Sequence, residues 1–180
     1  MPNNSLRNFV ESVRSAWGPL TSELVEHCRG ALEQLLTAQA AEPWLSALLA
    51  ERAASEELYR DPEHGFVLMA HAEPSGLYRP PHDHGRSWVI YAAWEGEIEM
   101  GAYARIDDPD HGSRLVRRDS TPVRTGDAQV YLPGDIHDTR CVADALLFRF
   151  TERDLRVEDR QEQRVTRYRE RNGVWVPEPR

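Results

Sequence analysis

Three histidines are the residues here whose types and spacing could do chemistry. His82 and His84 stand one residue apart in Arg79-Pro80-Pro81-His82-Asp83-His84, and His137 follows far downstream after Pro133-Gly134-Asp135. In an extended strand, side chains at i and i+2 share a face, so His82 and His84 can aim two imidazoles at one point. Imidazole binds Fe, Zn, Cu and Ni, so the chemistry expected is metal binding. Three histidines add no negative charge and leave about three positions of an octahedron open, room for a substrate and a small gas molecule together. Asp83 and Asp138 flank the ligands on alternate faces and suit structural hydrogen bonds. Asp135 suits the turn before His137.

The elements that must position these residues read as short strands and turns. Pro80 and Pro81 hold the approach to His82 extended. The β-prone run Trp88-Val89-Ile90-Tyr91 ends at Glu95-Gly96, which reads as a turn. Gly126-Asp127 opens another turn, and Gln129-Val130-Tyr131-Leu132 reads as a strand. Strand-like runs cover 66–72, 77–82, 87–94, 97–105, 114–118, 128–132, 137–142 and 145–151, which argues for a sandwich or barrel. Residues 1–53 read as three helices covering a sheet. Asn4 or Ser5 caps the first, Thr21 or Ser22 the second, and Pro43 starts the third. Residues 58–151 read as the β unit that would carry the metal site. Residues 152–164 read as a charged, solvated connector. Asn172-Gly173 between β-prone runs predicts a terminal hairpin, which either packs on the barrel as an edge pair or mediates self-association as a homodimer.

The histidine region resembles the first metal motif of the cupin superfamily, G-x5-H-x-H-x4-E-x6-G, with Gly76, His82, His84 and Gly96 at its spacing and Val89 where the glutamate ligand stands. Gly126, Gly134 and His137 match the second motif, with Leu132 at its proline and Cys141 at its asparagine. The resemblance implies a mainly β fold, a double-stranded β-helix barrel with N-terminal helices, as one domain over 1–180. With three histidines and no glutamate, the site resembles the thiol dioxygenases. That implies Fe(II) on His82, His84 and His137, and a small thiol oxidised by O2 to a sulfinate. Those enzymes carry a Ser-x-His-x-Tyr element where Leu147, Arg149 and Thr151 stand here. The cysteine that some of them crosslink to the tyrosine falls at Val89.

Two arginines are candidates for holding a substrate carboxylate. Arg60 lies near the arginine that plays this part in cysteine dioxygenases, with a surface salt bridge as the competing reading. Arg149 sits in the apolar run Ala145 to Phe150, either at the barrel mouth, where it could grip a carboxylate, or on an outer face. Trp88 and Tyr91 fall on opposite faces, so at most one lines the cavity, and Cys141 shares parity with His137. A cupin oxygenase acting on a diketone or phenol, and a non-catalytic ligand-binding cupin, remain alternative functions.

Composition narrows the class. The chain has 180 residues and a net charge of -8, with 22 arginines and no lysine. An acidic domain argues against nucleic-acid binding. Two cysteines, Cys28 and Cys141, give no disulfide framework. No segment reads as a signal peptide or a membrane span, so the expected setting is cytoplasmic.

Overall fold

The computed structural model describes residues 4–109 and 112–179. Three helices come first: α1 (Ser5–Ala16), α2 (Ser22–Leu35) and α3 (Pro43–Glu51). Asn4 caps α1 by accepting from the Arg7 N–H, and Thr21 caps α2 by accepting from the Leu24 N–H. Pro43 occupies the start of α3, where its missing N–H is no loss. The Glu42 carboxylate takes hydrogen bonds from Ser5 and from the Trp44 indole, which ties α3 to the start of α1.

Seven strands follow: β1 (Glu56–Arg60), β2 (Val67–Glu73), β3 (Tyr78–His82), β4 (Val89–Asp108), β5 (Gly112–Arg124), β6 (Ala128–Tyr131) and β7 (Ile136–Thr151). β4 and β7 are long and pair along most of their length, but each bends half-way. Their paired segments 89–93 and 147–151 join β2, β1 and β6 in one layer. Segments 98–103 and 136–141 join β3 and β5 in the other. Every strand-to-strand ladder among the described residues is antiparallel, and two strands serving both layers make the double-stranded β-helix that the sequence implies.

The bend explains one difference from the sequence reading. Glu95-Gly96 is not a turn that ends a strand; it is the corner where β4 changes layers, marked by register shifts against β7. Gly96 has φ +85 and lies so close to β7 that a Cβ there would sit 2.7 Å from the Ala145 Cα. Only glycine meets both conditions without strain.

The first layer is buried on both faces. Its outer face presents Phe66, Leu68, Ala70, Trp88, Ile90, Ala92, Phe148 and Phe150 to the helices. Its inner face presents Val89, Tyr91, Ala93 and Leu147 to a second core with Ile98, Met100 and Val123. That double burial is why Trp88 to Ala93 reads as a continuous apolar run with no alternation. Trp88 therefore lies under the helices and Tyr91 inside the barrel.

Residues beyond 151 are more structured than a solvated connector. Residues 157–161 form a short π-helical turn, with Glu158 fully buried. Strands β8 (Tyr168–Arg171) and β9 (Val174–Pro177) pair across Asn172-Gly173. Tyr168 and Trp175 of this hairpin pack with Leu115, Ile136 and Tyr103 on the outer side of the second layer.

Candidate metal centre

His82 is the last residue of β3, and its Cα partner across the pair is His137, near the start of β7. Directly opposed antiparallel residues hold their Cβ atoms about 5 Å apart, so this pairing alone brings two imidazoles together. β3 is an edge strand whose ladder is with β7, with a single further bridge from His82 to Arg167, and at such an edge Pro80 and Pro81 are tolerated. Contrary to the i, i+2 strand reading, β3 stops at His82. Asp83 turns the chain away: its Oδ1 accepts from the Gly85 and Thr166 N–H groups, and its own N–H donates to the Thr166 carbonyl. His84 lies in that turn and converges from a different angle, its ring standing edge-on to His82 at 87°. After the turn 132–135, closed by a 2.7 Å bond from the Leu132 N–H to the Asp135 carboxylate, the chain enters β7 and His137.

The three rings form a near-equilateral triangle, with centroids 5.2, 4.7 and 5.0 Å apart. One ring nitrogen from each lies within 4.8 Å of the others, and His84 Nε2 is 3.5 Å from His137 Nε2. His84 and His137 are buried and His82 half-buried. Burial pushes all three imidazoles down from their ordinary range, His84 and His137 well down, with the neighbouring His82 adding to both. Neutral imidazoles keep the lone pairs that a cation needs. A carbonyl can only accept, so His82 Nδ1–H donates to the Pro80 carbonyl at 2.9 Å and the lone pair falls on Nε2. Each ring can present a lone pair to the point between the three, an arrangement that fits a metal ion.

Side chains around the triangle fix it. Tyr131 stacks on His137 with centroids 4.0 Å apart and planes 19° apart, and Tyr91 places its hydroxyl 3.3 Å from His84 Nε2. On the outer side of the second layer, Asp138 accepts from the Tyr78 hydroxyl at 2.9 Å, the Tyr103 hydroxyl at 2.6 Å and the Gly101 N–H at 2.9 Å. Asp138 thus does structural work beside a ligand. Val89 sits inside the barrel opposite Tyr131, and the same inner core takes Cys141, which bonds backbone carbonyls rather than lining the cavity.

His82 and His84 open on a cavity of about 410 Å³ that Tyr91, Arg149, His71 and Thr139 also line. Arg149 stands opposite Tyr91 in the β4–β7 pair, on the inner face, and its Nε is buried without a partner among the described residues. Arg60 lies elsewhere. It ends the edge strand β1 and spends its guanidinium on Glu57 at 2.6 Å and Asp154 at 3.0 Å, in an adjoining groove that shares Arg149 with the cavity but includes none of the histidines. Of its two readings, the structure places it in the salt bridge.

The segment 155–167 forms the opposite wall, through Leu155, Asp159, Val165 and Arg167. It is pinned to the histidine turn by Glu158. That carboxylate accepts from the Arg86 N–H at 3.1 Å, Arg153 at 2.7 Å and Arg164 at 2.9 and 3.0 Å. It fits because Gly85 has no Cβ; one placed there would lie 2.6 Å from Glu158 Oε2. Neither this wall nor His71 stood out in the sequence. His71 had one signal: it falls on the inner parity of β2, in a stretch otherwise apolar.

No family model matches the chain, and no curated protein matches it. Solved structures of related shape include KdgF from Halomonas sp., 16% identical over 54% of this chain and 74% of that one, TM-score 0.43. The cupin domain of Schizosaccharomyces pombe Cnp3 is 12% identical over 60% and 69%, TM-score 0.44. An rmlC-like cupin protein from Desulfovibrio desulfuricans is 19% identical over 57% and 83%, TM-score 0.40. Among the described residues, no helix is long and apolar enough to cross a membrane.

Proposed function

We propose that this chain is a mononuclear non-haem iron dioxygenase that converts a small thiol, one carrying a carboxylate, to a sulfinate. The observation that supports this best is three imidazoles held neutral by burial, with no carboxylate among them, converging beside a cavity whose inner wall carries the buried Arg149. The reaction balances as RSH + O2 → RSO2H, with both oxygen atoms passing to sulfur and no further reductant needed. Fe(II) held by His82, His84 and His137 would supply the activation of O2, which the side chains alone cannot. A neutral donor set contributes no charge against a divalent cation, which leaves that part to a substrate thiolate.

The remaining roles belong to the protein. Arg149 offers a fixed cation on the cavity wall, suited to a carboxylate in a two-pronged grip. Tyr91 holds a protonated hydroxyl next to His84; burial keeps its phenol above the ordinary range, so it stays a donor at neutral pH. The wall formed by 155–167 restricts water. Loading the protein anaerobically with Fe(II), then adding small thiols and air, tests the proposal by O2 uptake and sulfinate detection. Uptake with at least one acidic thiol is expected. No uptake with 3-mercaptopropionate, cysteine or cysteamine, while a diketone or phenol is turned over, would replace this reading with that of another cupin oxygenase. No turnover of any of them would leave a ligand-binding role.

A further inference from the structure

One buried titratable group of the cavity has no part in the chemistry above. His71 lies on β2, on the inner face, with 8% of the residue exposed. Its Nδ1 is 3.3 Å from the Ala54 carbonyl. A carbonyl accepts only, so Nδ1 carries the proton and Nε2 is left as a lone-pair acceptor. That Nε2 is buried and has no partner among the described residues. On the neighbouring strand β7, Arg149 Nε is a buried donor without a partner. The strand register sets Met69 opposite Arg149 and His71 opposite Leu147, so the two side chains project from one inner face, two residues apart in register. Both line the same cavity as His82 and His84. His71 cannot become a second cation at neutral pH, because burial, with Arg149 next, brings its pKa down to about 3.

A buried acceptor with no protein partner, beside a guanidinium that meets the Tyr91 hydroxyl but leaves its buried Nε unpartnered among the described residues, is complementary to a ligand that offers an acid and a hydrogen-bond donor together. We infer that His71 and Arg149 form one subsite, in which Arg149 takes the carboxylate and His71 Nε2 accepts from a hydroxyl or ammonium on the adjacent carbon. The substrate class is therefore a 2-hydroxy or 2-amino acid rather than a plain carboxylic acid. This rests on the reading that the cavity takes an acidic small molecule, but not on the thiol or on oxygen chemistry.

The test uses acids without sulfur: propionate, lactate and alanine. Their binding is measured by calorimetry on the full chain loaded with Zn(II), and again on the metal-free chain. Lactate or alanine should bind about tenfold or more tighter than propionate, the worth of one buried acceptor satisfied rather than orphaned. Which of the two leads distinguishes hydroxyl from ammonium. His71→Phe should remove that preference, while His71→Gln, which keeps an acceptor, should restore part of it. Arg149→Gln should weaken all three acids. In the parent, the ¹⁵N resonance of His71 Nε2 should move on adding the preferred acid and not on adding propionate, a readout that survives if His71→Phe fails to fold. Equal binding of all three acids, or a preference that persists in His71→Phe, overturns the subsite and leaves Nε2 to a bound water. No binding of any acid overturns both the subsite and the acidic-substrate reading. A retained preference for lactate or alanine with no thiol oxidation upholds the subsite and removes the dioxygenase reading alone.

Discussion

Replacing Glu158 by glutamine should loosen the cavity wall without touching a histidine. The Glu158 side chain is fully buried, and its two oxygens receive four bonds, three of them from guanidinium nitrogens. Oε1 takes Arg153 and one nitrogen of Arg164; Oε2 takes the Arg86 N–H and the other nitrogen of Arg164. Glutamine keeps one oxygen and turns an NH2 towards donors, so two bonds are lost whichever way it rotates. A charge-assisted bond is worth about 1.5–3 kcal/mol when lost in full. Arg153 and Arg164 are 40% and 24% exposed, so both can turn to water and the sum is discounted. The expected cost is about 2–3 kcal/mol, or roughly 5–10 °C in Tm for a chain of this size. The arginines and the Arg86 N–H hold the carboxyl below its ordinary range despite burial, which acts to raise it. A depressed carboxyl contributes stability above the unfolded value, near 4.5, and loses it as pH falls through the folded one. The gap between parent and variant should therefore be full at pH 7, begin to narrow below about 4.5 and close only as pH falls through the lower, folded value. Thermal unfolding against pH reads the first effect. Amide exchange of 155–167 and 83–86 reads the second, since both segments should exchange faster together. An unchanged Tm with unchanged exchange would show that Glu158 does not pin this wall.

Other expectations follow from the same geometry. His82→Ala, His84→Ala and His137→Ala should each abolish tight metal binding in elemental analysis, and full metal content in any two would refute the site. Occupancy in the parent should persist through the ordinary imidazole range and fall only at lower pH, because burial holds the three imidazoles neutral below their usual value before protons compete for the lone pairs. Val89→Glu, inside the barrel opposite Tyr131, should raise divalent-metal affinity and alter the metal's spectrum; an unchanged affinity and spectrum would show that position 89 does not reach the ion. His71 folds neutral with a pKa of about 3, against 6.5 unfolded, so the unfolded chain binds the extra proton between these values and stability falls as pH drops below 6.5. At pH 5 this amounts to about 2 kcal/mol, and the metal-free His71→Phe variant should show a correspondingly flatter pH profile in denaturant unfolding.

The parts of the fold most legible in the sequence are those that local chemistry decides. Helix caps at Asn4 and Thr21, the proline at the start of α3 and the Asn172-Gly173 hairpin depend on a few neighbouring residues, and they can be read one at a time. The bend at Gly96 was misread because a turn and a strand corner require the same residue; only the approach of Ala145 from another strand tells them apart. The histidines stood out because their spacing repeats on a strand, yet the convergence of His84 depends on Asp83 bonding Thr166, 83 residues away. The wall at 155–167 was hidden for a related reason. Its charge density reads as solvated chain, and nothing local reveals that Glu158 finds a space left by Gly85.

The placement of the cavity follows from which strands are shared. β4 and β7 run through both layers, so the corner at Gly96 aligns the inner faces of their two halves on a common interior. β7 carries His137 in one half and Arg149 in the other, while Tyr91 stands on β4 beside both. One pair of strands therefore sets the separation between the histidines and the cation. The helices cover the other face of the first layer, away from this interior, and their truncation or repacking acts on stability through Phe148, Phe150 and Trp88. A substitution at the corner acts differently. Gly96→Ala forces a left-handed φ on a residue with a Cβ and drives that Cβ into β7. It should shift the two halves relative to one another, and so weaken acid binding at Arg149 and metal binding at His137 together. A change confined to only one of those measurements would show that the two halves of β7 move independently.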